Sequence, residues 1–590
     1  MSPLIRFIMP FKQHLSFKPN MLWLAIIPMM MGCPGNQEKK SEAHPNIVLI
    51  FIDDFGWPAI SCYGNEHVST PNIDRIANEG MKFTDAYVTP QCTPSRASLM
   101  TGQHTARLRM WHVTGRYGYP YARMKEPPYR ENMPHESYTI AEALRDNGYE
   151  TALLGKWHLS TWGKRYPLAD GYYTTLFQEG KDEYGFNYVD IAKDVNYHQK
   201  TDKGVDYLTD EAISFMKQNQ DNPFFLYLSH HTIHGPILAP EYLIQKYREK
   251  GYPEEGQFNA TYLAAIEHMD NSVGRLLDEM ENMGLAENTV VMFLTDNGGV
   301  EEFFSNAPLR DGKGSTYEGG IRVPFMVRWP GKIAANTVSD LPVHVNDMYP
   351  TILDLAGVEV KEEVILDGIS VFSELTGEKI PRNRDLFWYM PLYDWQWGAT
   401  PAAVIRSGDF KLIKSFGDYY DHHHDEYFPE PRLELFNLKD DIGETQNLVE
   451  SQPEKARELE TKLMHWITEE MRAPLPTTNP DYDHSRIFDR SNDFNFELFF
   501  EAPLSDIQVH VNQDFKYIIP RNAVADYDYE GYTLEARMAD QSSWPDWLFF
   551  NKFERTLLGK PSESGEWGIL LTAKDPHGSE VSQEITLLVE

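Results

Sequence analysis

Four apolar runs in this chain each end in side chains suited to chemistry. Residues 47–52 lead into Asp53-Asp54, 151–154 into Gly155-Lys156-Trp157-His158, 224–229 into His230, His231 and His234, and 290–295 into Asp296-Asn297. Carboxylate and amide oxygens are cation donors, whereas ammonium and imidazole groups meet anions and move protons. A further segment, Cys92-Thr93-Pro94-Ser95-Arg96, has Thr93 to cap a helix, Pro94 to suit its first turn and Gly102 to stop it. Cys92 is therefore expected just before a helix N-terminus, where an anion is favoured. Arg96, one turn along the same face, can orient whatever Cys92 becomes.

Bringing these groups together requires a sheet. From His44 onward apolar runs alternate with amphipathic helical segments, the pattern of an α/β domain with helices on both faces of a buried sheet. Helices are expected over 72–86, 140–147, 210–218 and 262–283. Ligands of open α/β sheets bind beyond the carboxyl ends of the strands, so four strands that each deliver polar groups there predict one shared site. This catalytic domain is assigned to 44–380. Residues 381–483 read as a smaller α+β subdomain, with strands over 403–405, 410–415 and 433–438, a helix over 454–471 and a polar, Pro-rich linker over 473–483. Short strands separated by turn residues over 491–590 read as a small β-sandwich.

The chain has 590 residues, and 54 basic against 88 acidic side chains give a net charge of −34, which disfavours nucleic acid as a partner. With 41% hydrophobic residues it can bury a large core. Its three cysteines, Cys33, Cys62 and Cys92, are too few and too scattered for a disulfide framework, and Cys62 reads as a packing residue. Residues 1–33 have the order of a signal peptide, basic residues before a short apolar core. Gly32-Cys33 at its end resembles a lipoprotein processing site that would lipidate Cys33; simple secretion is the alternative. Either way the protein is expected to be exported, to the periplasm or the outer-membrane surface, touching membrane only through a lipid anchor.

Against the acidic background, 103–130 is basic and aromatic. Arg107, Arg109, Trp111 and Arg116 are the candidates to meet an anionic sugar chain, internal salt bridges being the competing use of such arginines. His422, His423 and His424 read as a solvated hairpin loop, with cleft lining or a stray metal as alternatives.

Cys92-x-Pro-x-Arg96, followed by Ala97-Ser98-Leu99 and Thr101-Gly102, resembles the signature of the formylglycine-dependent sulfatases, in the alkaline phosphatase-like superfamily. The resemblance extends over roughly 44–471 and implies that a formylglycine-generating maturation enzyme oxidises Cys92 to 3-oxoalanine. It implies a metal site of Asp53, Asp54, Asp296, Asn297 and the modified Cys92. An all-oxygen donor set suits Ca²⁺, and suits Mg²⁺ less because that ion keeps more waters. Lys156 and His158 match the family's Lys-x-His pair, Lys313 its sulfate-contacting lysine, and His234 its substrate-side histidine, with His231 as the weaker candidate. By the same resemblance, a hydrate hydroxyl at position 92 attacks sulfur, Arg96, Lys156 and Lys313 offset the sulfuryl charge, His234 with Lys313 protonates the leaving oxygen, and His158 then removes the proton of the remaining hydroxyl. The expected substrate is a sulfated polysaccharide or its oligosaccharides. The rivals are a phosphonate or phosphate ester hydrolase on the same fold and a non-catalytic glycan-binding lipoprotein.

Overall fold

The computed structural model describes residues 44–113, 118–130, 133–134, 137–159, 183–190, 204–421, 426–490, 499–500, 504–519, 523–525, 532–552, 555–574 and 580–590. The segment 1–33 with Cys33, Arg116, and His422, His423 and His424 lie outside the described residues.

The central sheet contains β1 (Asn46–Ile52), β2 (Met81–Phe83), β3 (Glu150–Gly155), β4 (Tyr188–Asp190), β5 (Phe224–His230), β6 (Thr289–Thr295), β7 (Phe325–Arg328) and β8 (Thr337–Ser339). Their order is β8-β2-β7-β6-β1-β5-β3-β4. β7 runs against its two neighbours, and the other adjacent pairs are parallel. Every residue of β1 is buried, as expected of a central strand covered on both faces. Ile47, Leu49 and Phe51 point into one core with Ala97 and Leu99 of the helix Cys92–Thr101 and with the helix Met348–Ala356. Val48, Ile50 and Ile52 point into the other, with the helices Pro71–Asn78, Val205–Gln218 and Ala260–Asn282.

Two expectations need correction. The helix expected over 72–86 ends at Asn78. Gly80 lies so close to β7 that a Cβ there would fall 2.1 Å from the Val327 carbonyl oxygen, and the chain continues as β2, paired with β7. The expected linker over 473–483 is a docked strap. Thr477–Thr478 pairs with Met124–Lys125, and Asn479 Nδ2 donates to the carbonyls of Pro120 (2.8 Å) and Ala122 (2.7 Å).

The second subdomain is a four-stranded antiparallel sheet, Asp385–Met390, Ala402–Ser407, Phe410–Ser415 and Leu433–Asn437, packed on the helix Pro453–His465. A buried ionic network joins it to the catalytic domain. Lys411 Nζ lies 2.9 Å from Glu318 and 2.7 Å from Glu444, with all three side chains fully buried. The C-terminal region has a four-stranded sheet (Ile507–Val509, Glu580–Val589, Gly565–Lys574, Thr533–Met538) and a three-stranded one (Phe515–Ile518, Thr556–Gly559, Leu548–Asn551), which contribute to one hydrophobic core.

Candidate active site

The register of the central strands brings the chemistry together. Ile52 lies opposite His230 and Thr295, and Gly155 opposite Ser229, so four strands stop at one level and the next residues of each enter one site. The turns into it are sharp. Asp54 (φ 60°) and His158 (φ 59°) take left-handed backbone conformations, a strain of the kind that accumulates at functional sites. Position 155 requires glycine, because a Cβ there would lie 2.0 Å from the Ser229 carbonyl oxygen.

Cys92 is the first residue of its helix, not the residue before it, and the cap is Gln91 rather than Thr93. The helix is buried along its whole length. Cys92 Sγ lies 3.4 Å from His158 Nδ1. Arg96 donates from Nε and Nη2 to Asp296 Oδ2 (3.0 and 2.7 Å), and from Nη1 to Ser229 Oγ (2.6 Å) and the Lys156 carbonyl (3.1 Å). Lys156 Nζ donates to Asp53 Oδ2 at 2.8 Å, and Lys313 Nζ donates to Asp54 Oδ2 at 2.9 Å. Asn297 Nδ2 donates to Asp54 Oδ1 at 2.8 Å. His231 Nε2 is 3.2 Å from Asp53, and its ring stacks on His234 with centroids 4.9 Å apart. His234 Nε2 is 3.9 Å from Asp54.

The oxygen donors here fit a hard cation, with Cys92 Sγ occupying the position that the oxidised residue's oxygen would take. Ligand atoms of Asp53, Cys92 and Asp296 all lie within 4.8 Å of one another. Asp53 Oδ1 and Asn297 Oδ1 are buried and accept no hydrogen bond among the described residues, an arrangement that costs free energy unless a positive charge meets them. Burial opposes ionisation of Asp53, yet Lys156, His234, His231 and Arg96 hold its carboxyl well below the usual range. Burial, reinforced by the Asp53 charge, pushes Asp296 up to about 7. Two carboxylates in conflict at so short a range are the situation a bound cation relieves. Burial and the charges of Lys156 and Arg96 keep His158 neutral, and burial with Lys313 pulls His234 down to about 4. Despite their burial, Lys156 and Lys313 are held protonated, by Asp53 and Asp54 respectively.

A family model described as Sulfatase matches residues 45–358. The chain belongs to the sulfatase family. Models described as N-sulphoglucosamine sulphohydrolase, C-terminal, and Putative Ig domain match residues 312–473 and 498–590 of this sulfatase. A sulfatase of Formosa agariphila is 32% identical to it over 521 residues, covering 75% of this chain and 92% of that protein. Human arylsulfatase A is 32% identical over 401 residues, 62% of this chain and 74% of that one. The crystal structure of Ps i-CgsB in complex with k-i-k-neocarrahexaose matches with a TM-score of 0.57 at 26% identity, covering 75% of this chain and 95% of that chain. The protein is a sulfuric ester hydrolase on the alkaline phosphatase-like fold.

The structure of this sulfatase corrects part of the expected substrate face. Arg107 makes a bidentate pair with Asp367, donating from Nε and Nη2 to Oδ1 at 3.1 and 2.7 Å and also from Nε to Oδ2, so it serves as an internal tie. Trp111 is 1% exposed and packs in the core of the second subdomain with Tyr129 and Leu392, out of reach of a ligand. Arg109 is partly exposed at a left-handed turn (φ 54°). The sequence reading missed Ser229 and Tyr227, which face Arg96 from β5, and also Asp394 and Trp397 from the second subdomain. The Ser229 position was readable as a strand end. Asp394 and Trp397 sit in a loop without a motif.

Proposed function

We propose that this sulfatase removes sulfate from a sulfated polysaccharide or its oligosaccharides, with Cys92 converted by a maturation enzyme to formylglycine and Ca²⁺ held beside it. The observation that carries this reading is Cys92 in the first turn of a buried helix, 3.4 Å from His158 and within ligand reach of Asp53 and Asp296. As an unmodified thiol the residue suits the task badly. Burial pushes its pKa up, so the nucleophilic thiolate is scarce at neutral pH. Formylglycine as its hydrate supplies one hydroxyl to attack sulfur and a second whose proton can be removed to release sulfate. Asp53, Asp54, Asp296 and Asn297 would hold the cation, which would supply positive charge to the site.

The chain's own residues then have separable tasks. Arg96, Lys156 and Lys313 bring three fixed positive charges to a water-poor site, where they offset the charge that builds on sulfate. His158, neutral and in contact with position 92, is the proton acceptor for the hydroxyl there. Lys313 and His234 flank Asp54 and are assigned to the leaving oxygen. His234 Nδ1 is 2.8 Å from the Gly235 carbonyl, which fixes the ring, and of the two it is Lys313 that is held protonated, by Asp54. Export and a lipid anchor at Cys33 complete the reading, since a polymeric substrate lies outside the cell.

The test is sulfate release from a panel of sulfated oligosaccharides by protein co-expressed with a formylglycine-generating enzyme. Release from one member identifies the sugar. A protein carrying the aldehyde that hydrolyses phosphonate or phosphate esters far faster than every sulfate ester would contradict the reading.

A further inference from the structure

The loop between the first two strands of the second subdomain, 391–401, reaches the Lys313 ammonium. Asp394 and Ala399 close it with reciprocal backbone hydrogen bonds of 3.1 and 3.0 Å, and Gly398 (φ 69°) turns the chain. Two anchors hold it. Gln91, the residue before Cys92, donates from Nε2 to Asp394 Oδ2 at 3.2 Å. Trp395 is buried, donates from Nε1 to the Ile487 carbonyl at 2.9 Å and packs against Tyr393 with centroids 4.8 Å apart. Between these anchors the loop lays Trp397 over Lys313, whose Nζ lies 5.1 Å from the ring centroid. The backbones are in tight register, because a Cβ on Gly314 (φ 86°) would fall 2.3 Å from Trp397 Cβ. Lys313 is 7% exposed, whereas Trp397 keeps part of its surface open.

A large apolar ring fixed beside a buried ammonium and left partly open has a chemical meaning. The indole face is electronegative, so it attracts Lys313 and repels a sulfate placed against it. The remaining ring surface suits the weakly positive C–H face of a pyranose whose sulfate ester points past the ring towards Lys313, Lys156 and Arg96. We propose that Trp397 is a specificity-determining residue that stacks on the sugar ring bearing the scissile sulfate, an assignment that rests on the carbohydrate reading above. Trp397 reads the sugar, and the buried cations read the sulfate. The doubly anchored loop presents the ring already in place, so stacking costs little ordering entropy.

The experiment uses the full chain with formylglycine confirmed by peptide mass. KM and kcat are measured on the sulfated oligosaccharide that the panel identifies, and the Kd of inorganic sulfate by calorimetry, for wild type, Trp397→Ala and Trp397→Phe. Trp397→Ala is expected to raise KM by about tenfold, with a smaller change in kcat. Its Kd for inorganic sulfate is expected to stay within about twofold of wild type, and Trp397→Phe to recover most of the KM. An unchanged KM in Trp397→Ala would overturn the assignment. So would a Kd for sulfate that rises in step with KM, because Trp397 would then act by supporting Lys313. A wild-type protein that turns over no sulfated sugar overturns the carbohydrate reading and the stacking role together, an outcome distinct from the other two.

Discussion

Replacing Lys411 by methionine should loosen the joint between the catalytic domain and the second subdomain, and by more at high pH than at low. Lys411 Nζ sits 2.9 Å from Glu318 and 2.7 Å from Glu444, and none of the three side chains is exposed. Although burial opposes it, Lys411 and Arg322 hold Glu318 well below the usual carboxylate range, while burial, with Glu318 nearby, pushes Glu444 up to about 7. Removing the shared cation leaves two carboxylates facing each other in the interior. Breaking a buried pair in this way costs about 3–5 kcal/mol. Unfolding entropy of ~2.1 cal/mol/K per residue over a cooperative unit of roughly 430 residues (44–473) converts that loss into a Tm decrease of about 4 °C. Without Lys411, Glu318 keeps its pair with Arg322, but Glu444 loses the cation that lowers it, and its folded pKa rises further above the unfolded one. The folded form then binds more protons than the unfolded form, so the penalty grows as pH rises and shrinks as pH falls. Thermal unfolding followed by fluorescence at pH 6 and pH 8 reads both effects. A Tm loss that is equal at the two pH values, or smaller than about 1 °C, would refute this electrostatic account.

Two further outcomes follow from the geometry. Asp53→Asn removes a charge from a carboxylate whose Oδ1 accepts no hydrogen bond among the described residues, and metal analysis after gel filtration should show the proposed divalent cation lost; wild-type content would exclude Asp53 as a ligand. Arg382 donates to both oxygens of Glu374 (2.8 and 2.7 Å) and holds its pKa well below the ordinary value. That contribution is complete above about pH 4.5 and is lost as pH falls. Glu374→Gln should therefore flatten the acid limb of a Tm-against-pH curve, and an unaltered acid limb would show that the pair adds nothing.

The catalytic half was legible because its chemistry is local in sequence. Each cluster, from Asp53-Asp54 to Asp296-Asn297, follows directly on a strand, and strand ends of a parallel sheet converge whatever the distance along the chain. Cys92 and Arg96 share one helical face, so their relation follows from spacing alone. The misreadings arose where partners come from afar. Arg107 looked like a substrate residue until Asp367 arrived to pair with it, and Trp111 until the second subdomain closed over it. Trp397 reaches Lys313 from a loop whose sequence carries no periodicity. Gly80 was a readable stop, but the amphipathic pattern on either side of it masked the change from helix to strand.

On the function proposed above, position 92 supplies the nucleophile and must be modified to do so. It is tested most directly by the mass of the Cys92 peptide from active enzyme, paired with sulfate release by Cys92→Ala. Expected are the aldehyde mass in active preparations, turnover that scales with the modified fraction, and no release from the variant at an unchanged Tm. Full turnover by protein whose Cys92 is an intact thiol, or by Cys92→Ala, would contradict it.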